Sequence, residues 1–299
     1  MSNFIKSQHT EAQIGIGYAL LAFSAWGFLP IYWKLLDTVP SLEILAHRMV
    51  WSMLFLMGLL AVQKRLGEFR DLLKTPKYIF MLLGTATLLG GNWFVYIYGV
   101  NTNQVIETSL GYFISPLLVI LLGAVFLRER LNIWQVVAVG FAALGVLNFI
   151  WNFGSLPWIA LSLAFTFSFY GLFRKMIPVK PLVGLLMETA LLAPLAAILI
   201  AFWEVDGTGH FGTTWMTDFL LFGGGVVTSL PLLWFINAGK RLRYSTIGFI
   251  QYLTPSIQLL IGVYLYHEPF TPTHSITFGL IWAGLVIFSI NSLFVQSPS

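Results

Sequence analysis

The stretch LGYFISPLLVILLGAVFLRERL, Leu110 to Leu131, has a counterpart in YLTPSIQLLIGVYLYHEPF, Tyr252 to Phe270. Setting Pro116 on Pro255 also sets Gly123 on Gly262 and Glu129 on Glu268, all at one offset of 139 residues. AFSAWG, Ala22 to Gly27, and TFSFYG, Thr166 to Gly171, form a weaker pair in which Phe23 falls on Phe167, Ser24 on Ser168 and Gly27 on Gly171. Matched apolar segments in the two parts of a chain are the mark of a duplicated membrane architecture. The expected halves are residues 1-150 and 151-299.

Both quoted stretches belong to a ladder of ten apolar runs, near 14-33, 42-62, 78-99, 105-127, 132-150, 156-173, 182-203, 218-238, 244-266 and 275-295. Each is about 20 residues, enough to cross a hydrocarbon core as a helix. The chain is 58% hydrophobic and 9% charged, which leaves no room for a soluble domain. The runs are continuous rather than alternating, so backbone groups in lipid must be satisfied within helices, and a β-barrel is disfavoured. The first run carries only Lys6 on its flank and is expected to stay as a span rather than to be cleaved as a signal peptide.

Lys and Arg fall in every second gap: Lys6 in the tail, five in 63-77, two in 128-131, three in 174-181 and three in 239-243. The other gaps hold only Lys34. By the positive-inside rule both termini are cytoplasmic. Five spans is an odd number, so the second half enters the membrane inverted, with Glu129 beside cytoplasmic Arg128 and Arg130 and Glu268 in an outer loop. The fold class expected is thus an all-α integral membrane protein of ten helices in two inverted five-helix repeats. The net charge of +4 sits in juxtamembrane loops, where topology and anionic lipid account for it and no nucleic-acid partner is implied.

AFSAWGFLPIYWK (Ala22 to Lys34), GGNWFVYIY (Gly90 to Tyr98), SLGYFISPL with its RER terminus (Ser109 to Leu117, Arg128 to Arg130) and STIGFIQYLTP (Ser245 to Pro255) together resemble the drug/metabolite transporter superfamily, most closely the RarD-type branch of EamA-domain permeases. The resemblance covers essentially the whole chain. It implies a permease of small organic solutes, and the amino-acid and drug exporters of the superfamily suggest outward movement.

Polar groups inside spans are expensive and each needs a partner, a wet cavity or a function. His47 and Arg48 lie in the second span and Glu188 in the seventh, at corresponding places in the halves. An Arg48 to Glu188 ion pair is expected, with inter-repeat packing and substrate or proton coupling as alternative uses. Glu43, one turn before His47, offers that histidine an i,i+4 contact.

Stripes of amides, aromatics and small residues suit a cavity for an organic molecule. Asn92, Trp93 and Tyr96 form one in the third span and Glu107, Gly111 and Ser115 another in the fourth, with Tyr112 alongside. Trp234 and Asn237 lie in the eighth span, and Gln251, Tyr252, Pro255 and Gln258 in the ninth. The alternative for each stripe is helix packing. The candidate substrate residues are Asn92, Trp93, Tyr96, Tyr112, Trp234, Gln251 and Tyr252, with Pro116 and Pro255 as paired helix interruptions that free carbonyls. Trp33, Trp151 and Trp158 read as interfacial anchors. Small residues at Ala138, Ala142, Gly145, Gly279 and Ala283 pack within the chain or against a second copy, giving a homodimer.

The sequence lacks cysteine, so disulfides, thiolate metal sites and Cys nucleophiles are excluded. Five scattered His residues offer no metal site, and no cofactor is expected. There is no GxxxxGK[ST], HExxH or GxSxG motif. The leading reading is a secondary transporter of the cytoplasmic (inner) membrane driven by a gradient, with a small-molecule substrate, membrane lipid and a coupling proton as partners. An intramembrane lipid-handling enzyme and a non-transporting membrane partner or regulator are the alternatives.

Overall fold

The structure, a computed structural model, describes residues 2-126, 133-153, 156-242 and 250-295. Its elements are α1 (Ser2–Lys34), α2 (Ser41–Val62), α3 (Leu66–Leu73), α4 (Pro76–Asn101), α5 (Val105–Phe126), α6 (Ile133–Phe153), α7 (Trp158–Met176), α8 (Pro181–Asp206), α9 (Trp215–Arg241), α10 (Leu253–Leu260) and α11 (Pro272–Val295). Among the described residues there is no strand. Five stretches, Glu11–Lys34, Ser41–Val62, Pro76–Asn101, Pro181–Asp206 and Trp215–Phe235, are long and apolar enough to cross a membrane, and shorter apolar helices cover Val105–Val119, Val136–Asn152, Trp158–Arg174 and Leu253–Leu265. Glu129, Arg128, Arg130, Arg243 and the start of STIGFIQYLTP lie outside the described residues.

Helix ends follow local chemistry. Pro76 and Pro181 open α4 and α8, where a missing N–H removes no intrahelical bond. Thr214 caps α9 by accepting the Thr217 N–H at 3.1 Å, and Gly207 ends α8 at φ 74°, a left-handed turn that favours glycine. The sequence reading missed α3. Its apolar side, Leu66, Phe69 and Leu72, joins a cluster with Leu60, Leu82 and Leu182, so the basic loop is tied to the helix bundle. Pro116 is interior to α5. Pro255 stands in the first turn of α10, which runs on as a π turn over Ile261–Leu265.

The packing partners come in matched sets. α1 lies on α9 as α4 lies on α7; α5 lies on α7 as α10 lies on α1; α2 lies on α9 as α4 lies on α8. α2 with α8 and α6 with α11 complete the scheme. Close approach rather than apolar transfer drives such contacts in lipid. A Cβ on Gly111 would meet the Ala160 carbonyl at 2.7 Å, and one on Gly284 the Ala138 carbonyl at 2.7 Å. Ala138 and Gly145 of α6 therefore meet α11 inside the chain, while a Cβ on Gly279 would meet nothing within 4 Å. Exposed Phe80, Trp151 and Val205 face outward, as lipid contact requires. Trp33 departs from the interfacial reading: it is fully buried, because α1 turns that ring toward α2 and α9.

Candidate functional site

Arg48 projects from the first half of α2 and is only 4% exposed. Its guanidinium carbon lies 3.6 Å from the centroid of the Trp93 ring and 5.6 Å from that of Trp33. Cation–π attraction of this kind offsets part of the desolvation of a buried charge. Beside it Tyr96 and Tyr112 meet edge to face, centroids 5.7 Å apart. The Tyr112 hydroxyl donates to Asn92 Oδ1 at 3.3 Å, and Gln258 Nε2 donates to the Tyr96 hydroxyl at 3.0 Å. Asn92 Nδ2 in turn donates to the Leu163 carbonyl at 3.1 Å and Thr166 Oγ1 at 2.9 Å, on α7. Gln258 Nε2 also reaches the Trp26 carbonyl of α1 at 3.2 Å. One aromatic and amide group thus draws on α1, α2, α4, α5, α7 and α10.

The expected Arg48 to Glu188 pair is not formed. Glu188, 1% exposed, takes Arg174 Nε at 3.2 Å, Thr85 Oγ1 at 2.6 Å and the Tyr170 hydroxyl at 3.3 Å. The reason is local: Tyr170 and Arg174 are one turn apart on α7 and reach Glu188 together, while Trp93 occupies the near face of Arg48. Trp93 and Glu188 line the same narrow gap. The sequence reading counted Arg174 only as a topology charge, and the i,i+4 spacing of Tyr170 and Arg174 was the signal for a shared partner.

One end of the bundle is held by carboxylates on backbone N–H groups. Glu268 Oε1 and Oε2 accept from Val105 N at 2.7 Å and Ile106 N at 2.8 Å, a charged cap on the N-terminus of α5. Burial raises the Glu268 carboxyl above the usual carboxylate range, and the two N–H bonds oppose that rise. Glu107 accepts from Ile159 N at 3.1 Å, and Gly111 and Ser115 pack on α7, so that stripe is a packing face. Glu43 holds His210 by N–H at 2.7 Å and Nδ1 at 2.8 Å rather than His47, whose ring stacks on Phe211 at 5.2 Å. Around Asn103, Gln104, Glu107, Glu268 and His274 there is an open pocket of about 290 Å³.

Asn92, Trp93, Tyr96 and Tyr112 come together as expected. Tyr252 stacks instead on Phe113, centroids 6.4 Å apart, and Gln251 and Trp234 are half-buried without a hydrogen bond to the group among the described residues. Gln258, one turn beyond Pro255, takes the place expected for Gln251, because α10 turns that face to Tyr96. Among the described residues no cluster of metal-binding side chains occurs.

The sequence profile of the EamA-like transporter family matches residues 13-151. Protein RarD of Salmonella typhi is 46% identical over 96% of this chain and 98% of its own length. Protein RarD of Escherichia coli K12 is 44% identical over 96% and 97%, and an uncharacterized transporter of Vibrio cholerae is 44% identical over 97% and 96%. A crystal structure that covers 97% of this chain and 100% of its own superposes with TM-score 0.61 at 18% identity, a likeness of fold. A bundle of apolar helices around a buried polar centre, with these relatives, is a multi-pass membrane transporter. The chain belongs to the EamA-like transporter family of the drug/metabolite transporter superfamily, as a RarD-type permease.

Proposed function

We propose that this transporter moves small organic solutes outward across the cytoplasmic (inner) membrane by alternating access between two inverted five-span halves, residues 1-150 and 151-299, with both termini in the cytoplasm. The observation that carries the reading is the Asn92, Tyr96, Tyr112 and Gln258 group, buried where helices of both halves converge. Aromatic walls supply contact area and amides supply orientation. The cargo favoured is neutral, zwitterionic or amphipathic, of the size of amino-acid-like metabolites and amphipathic drugs.

Support for the inverted halves comes from packing. Exchanging α1 with α7, α2 with α8, α4 with α9, α5 with α10 and α6 with α11 maps each matched set of partners onto itself. A hydroxyl-to-carbonyl bond also joins each of two matched helix pairs, though in opposite directions: Ser168 of α7 donates to the Ser115 carbonyl of α5 at 3.1 Å, and Thr254 of α10 donates to the Phe23 carbonyl of α1 at 2.7 Å. Such two-fold systems place the substrate at the repeat interface. Energy comes from a gradient, with the proton as the coupling ion.

The test is flux into liposomes holding the purified chain, with neutral and zwitterionic amino acids and amphipathic drugs as labelled solutes, with and without a pH gradient. Saturable, gradient-stimulated flux supports the reading. Flux equal to empty vesicles for the whole panel overturns it.

A further inference from the structure

Each buried carboxylate described above has partners: Glu188 has Arg174, Thr85 and Tyr170, Glu43 has His210, and Glu268 has two backbone N–H groups. Arg48 is different. It is nine-tenths buried, makes neither an ion pair nor a hydrogen bond among the described residues, and leaves Nε without an acceptor. The carboxylate expected to pair with it, Glu188, is engaged elsewhere, as is nearby Glu43. A ring face screens the plane of a guanidinium but not its N–H edge, so the rings at Trp93 and Trp33 leave the edge unsatisfied. Trp33 Nε1 is a second buried donor without an acceptor. Unpaired donors in a buried site are costly unless a ligand supplies the acceptor.

We infer that Arg48 binds a carboxylate on the transported solute, while Tyr96 and Tyr112 pack against the apolar part of the same molecule; this rests on the transporter reading above. A guanidinium presents a planar fork that matches two carboxylate oxygens, which ammonium does not. One positive charge, with no second Lys or Arg beside it among the described residues, suits a monoanion rather than a phosphate dianion. A zwitterionic or monocarboxylic cargo follows, with the acid group seated at Arg48.

The experiment uses the full chain in nanodiscs, with labelled phenylacetate, its uncharged analogue phenylacetamide, the cation phenethylamine and sodium chloride as probes. Charged hydrogen bonds of this type correspond to a preference of roughly tenfold or more. Phenylacetate is expected to bind saturably and at least about tenfold more tightly than phenylacetamide, with phenethylamine weaker still. Arg48→Gln should abolish that preference, and Arg48→Lys, which keeps the charge but loses the fork, should retain it in reduced form. Equal affinity for acid and amide would overturn the inference. So would an acid preference that persists undiminished in Arg48→Gln, or in Arg48→Lys should the Gln variant not fold. Displacement of phenylacetate by chloride at equal concentration would reassign the site to a small inorganic anion, and absence of saturable carboxylate binding would remove it. Liposomal flux of neutral solutes without acid preference would sink the carboxylate site and leave the transporter reading standing.

Discussion

Arg174 Nε lies 3.2 Å from Glu188 Oε1, and Gly184, one turn before Glu188, makes room for that guanidinium: a Cβ at Gly184 would fall 1.8 Å from Arg174 Nη2. The pair therefore depends on a missing methyl group as much as on opposite charge. Arg174→Met strands a carboxylate in low dielectric and should lower stability by on the order of 3 kcal/mol. Gly184→Ala should weaken the same pair by moving the guanidinium. If the two changes share this mechanism, adding Gly184→Ala to Arg174→Met costs little more, as thermal unfolding in detergent would show. Fully additive losses would mean that Gly184 matters for another reason.

Glu268 joins the loop after α10 to the start of α5 through two N–H bonds. Glu268→Gln keeps the shape but replaces one acceptor oxygen by a donor facing an N–H. A loss of about 1 kcal/mol is expected from the charged cap, together with faster amide exchange at Val105 and Ile106. Unchanged exchange at both amides would remove the cap from the account.

Glu68 on α3 is held down to about 2 by hydrogen bonds from Arg65 and then Lys180. Its depressed value means that the tie between α3 and the α7–α8 loop is fully present above the ordinary glutamate range. The tie weakens as pH falls from near 4.5 toward about 2. The contact is exposed, so the effect is small and screened by salt. The protection of α3 amides relative to their intrinsic exchange rate, measured between pH 5 and about 3, should fall in the protein with Glu68 and stay flat in Glu68→Gln; equal profiles would exclude the tie.

The all-helical, multi-span character was legible because apolar runs of span length are a property of the chain itself. Most runs match a helix to within a few residues, although α1 begins well before the first run and the ninth run is described only in part; Asn92, Tyr96 and Tyr112, singled out by i,i+4 spacing and the neighbouring span, lie against one another. Partner choice was harder. Glu188 has two arginines at plausible depth, and only the geometry of α7 decides for Arg174. Gln251 and Gln258 are seven residues apart, about two turns on one helical face, and depth along the ninth span decides that Gln258 reaches Tyr96. The amphipathic α3 was hidden by its charge, which reads equally as a solvated loop.

The orientation is open to chemical labelling, since the chain has no cysteine. Gly207 is a poor position for a reporter, because its φ of 74° strains any side chain there. Thr208 is exposed in the same loop. Thr208→Cys should react with an impermeant thiol reagent on intact cells, and Lys74→Cys only after lysis, as the distribution of basic loops requires. The reverse pattern would invert the topology.

The centre carries the strongest functional expectation. Tyr112 and Gln258 are held by hydrogen bonds to Asn92 and Tyr96, so their truncation removes part of this aromatic and amide group while leaving the helix contacts of Asn92 with α7 in place. Tyr112→Phe should retain packing and lose orientation, lowering flux several-fold, and Tyr112→Ala should lower it further by removing apolar contact worth roughly 2 kcal/mol or more. Gln258→Ala should act like Tyr112→Phe. Trp158, a half-exposed ring that meets the partly exposed Tyr98 at 5.7 Å, should accept Phe with little change in flux. Folding is monitored by thermal unfolding of each variant, so a loss of flux at unchanged stability assigns these side chains to the cargo path. Normal flux in both Tyr112→Ala and Gln258→Ala, with loss confined to Trp158→Phe, would move the path away from α4, α5 and α10.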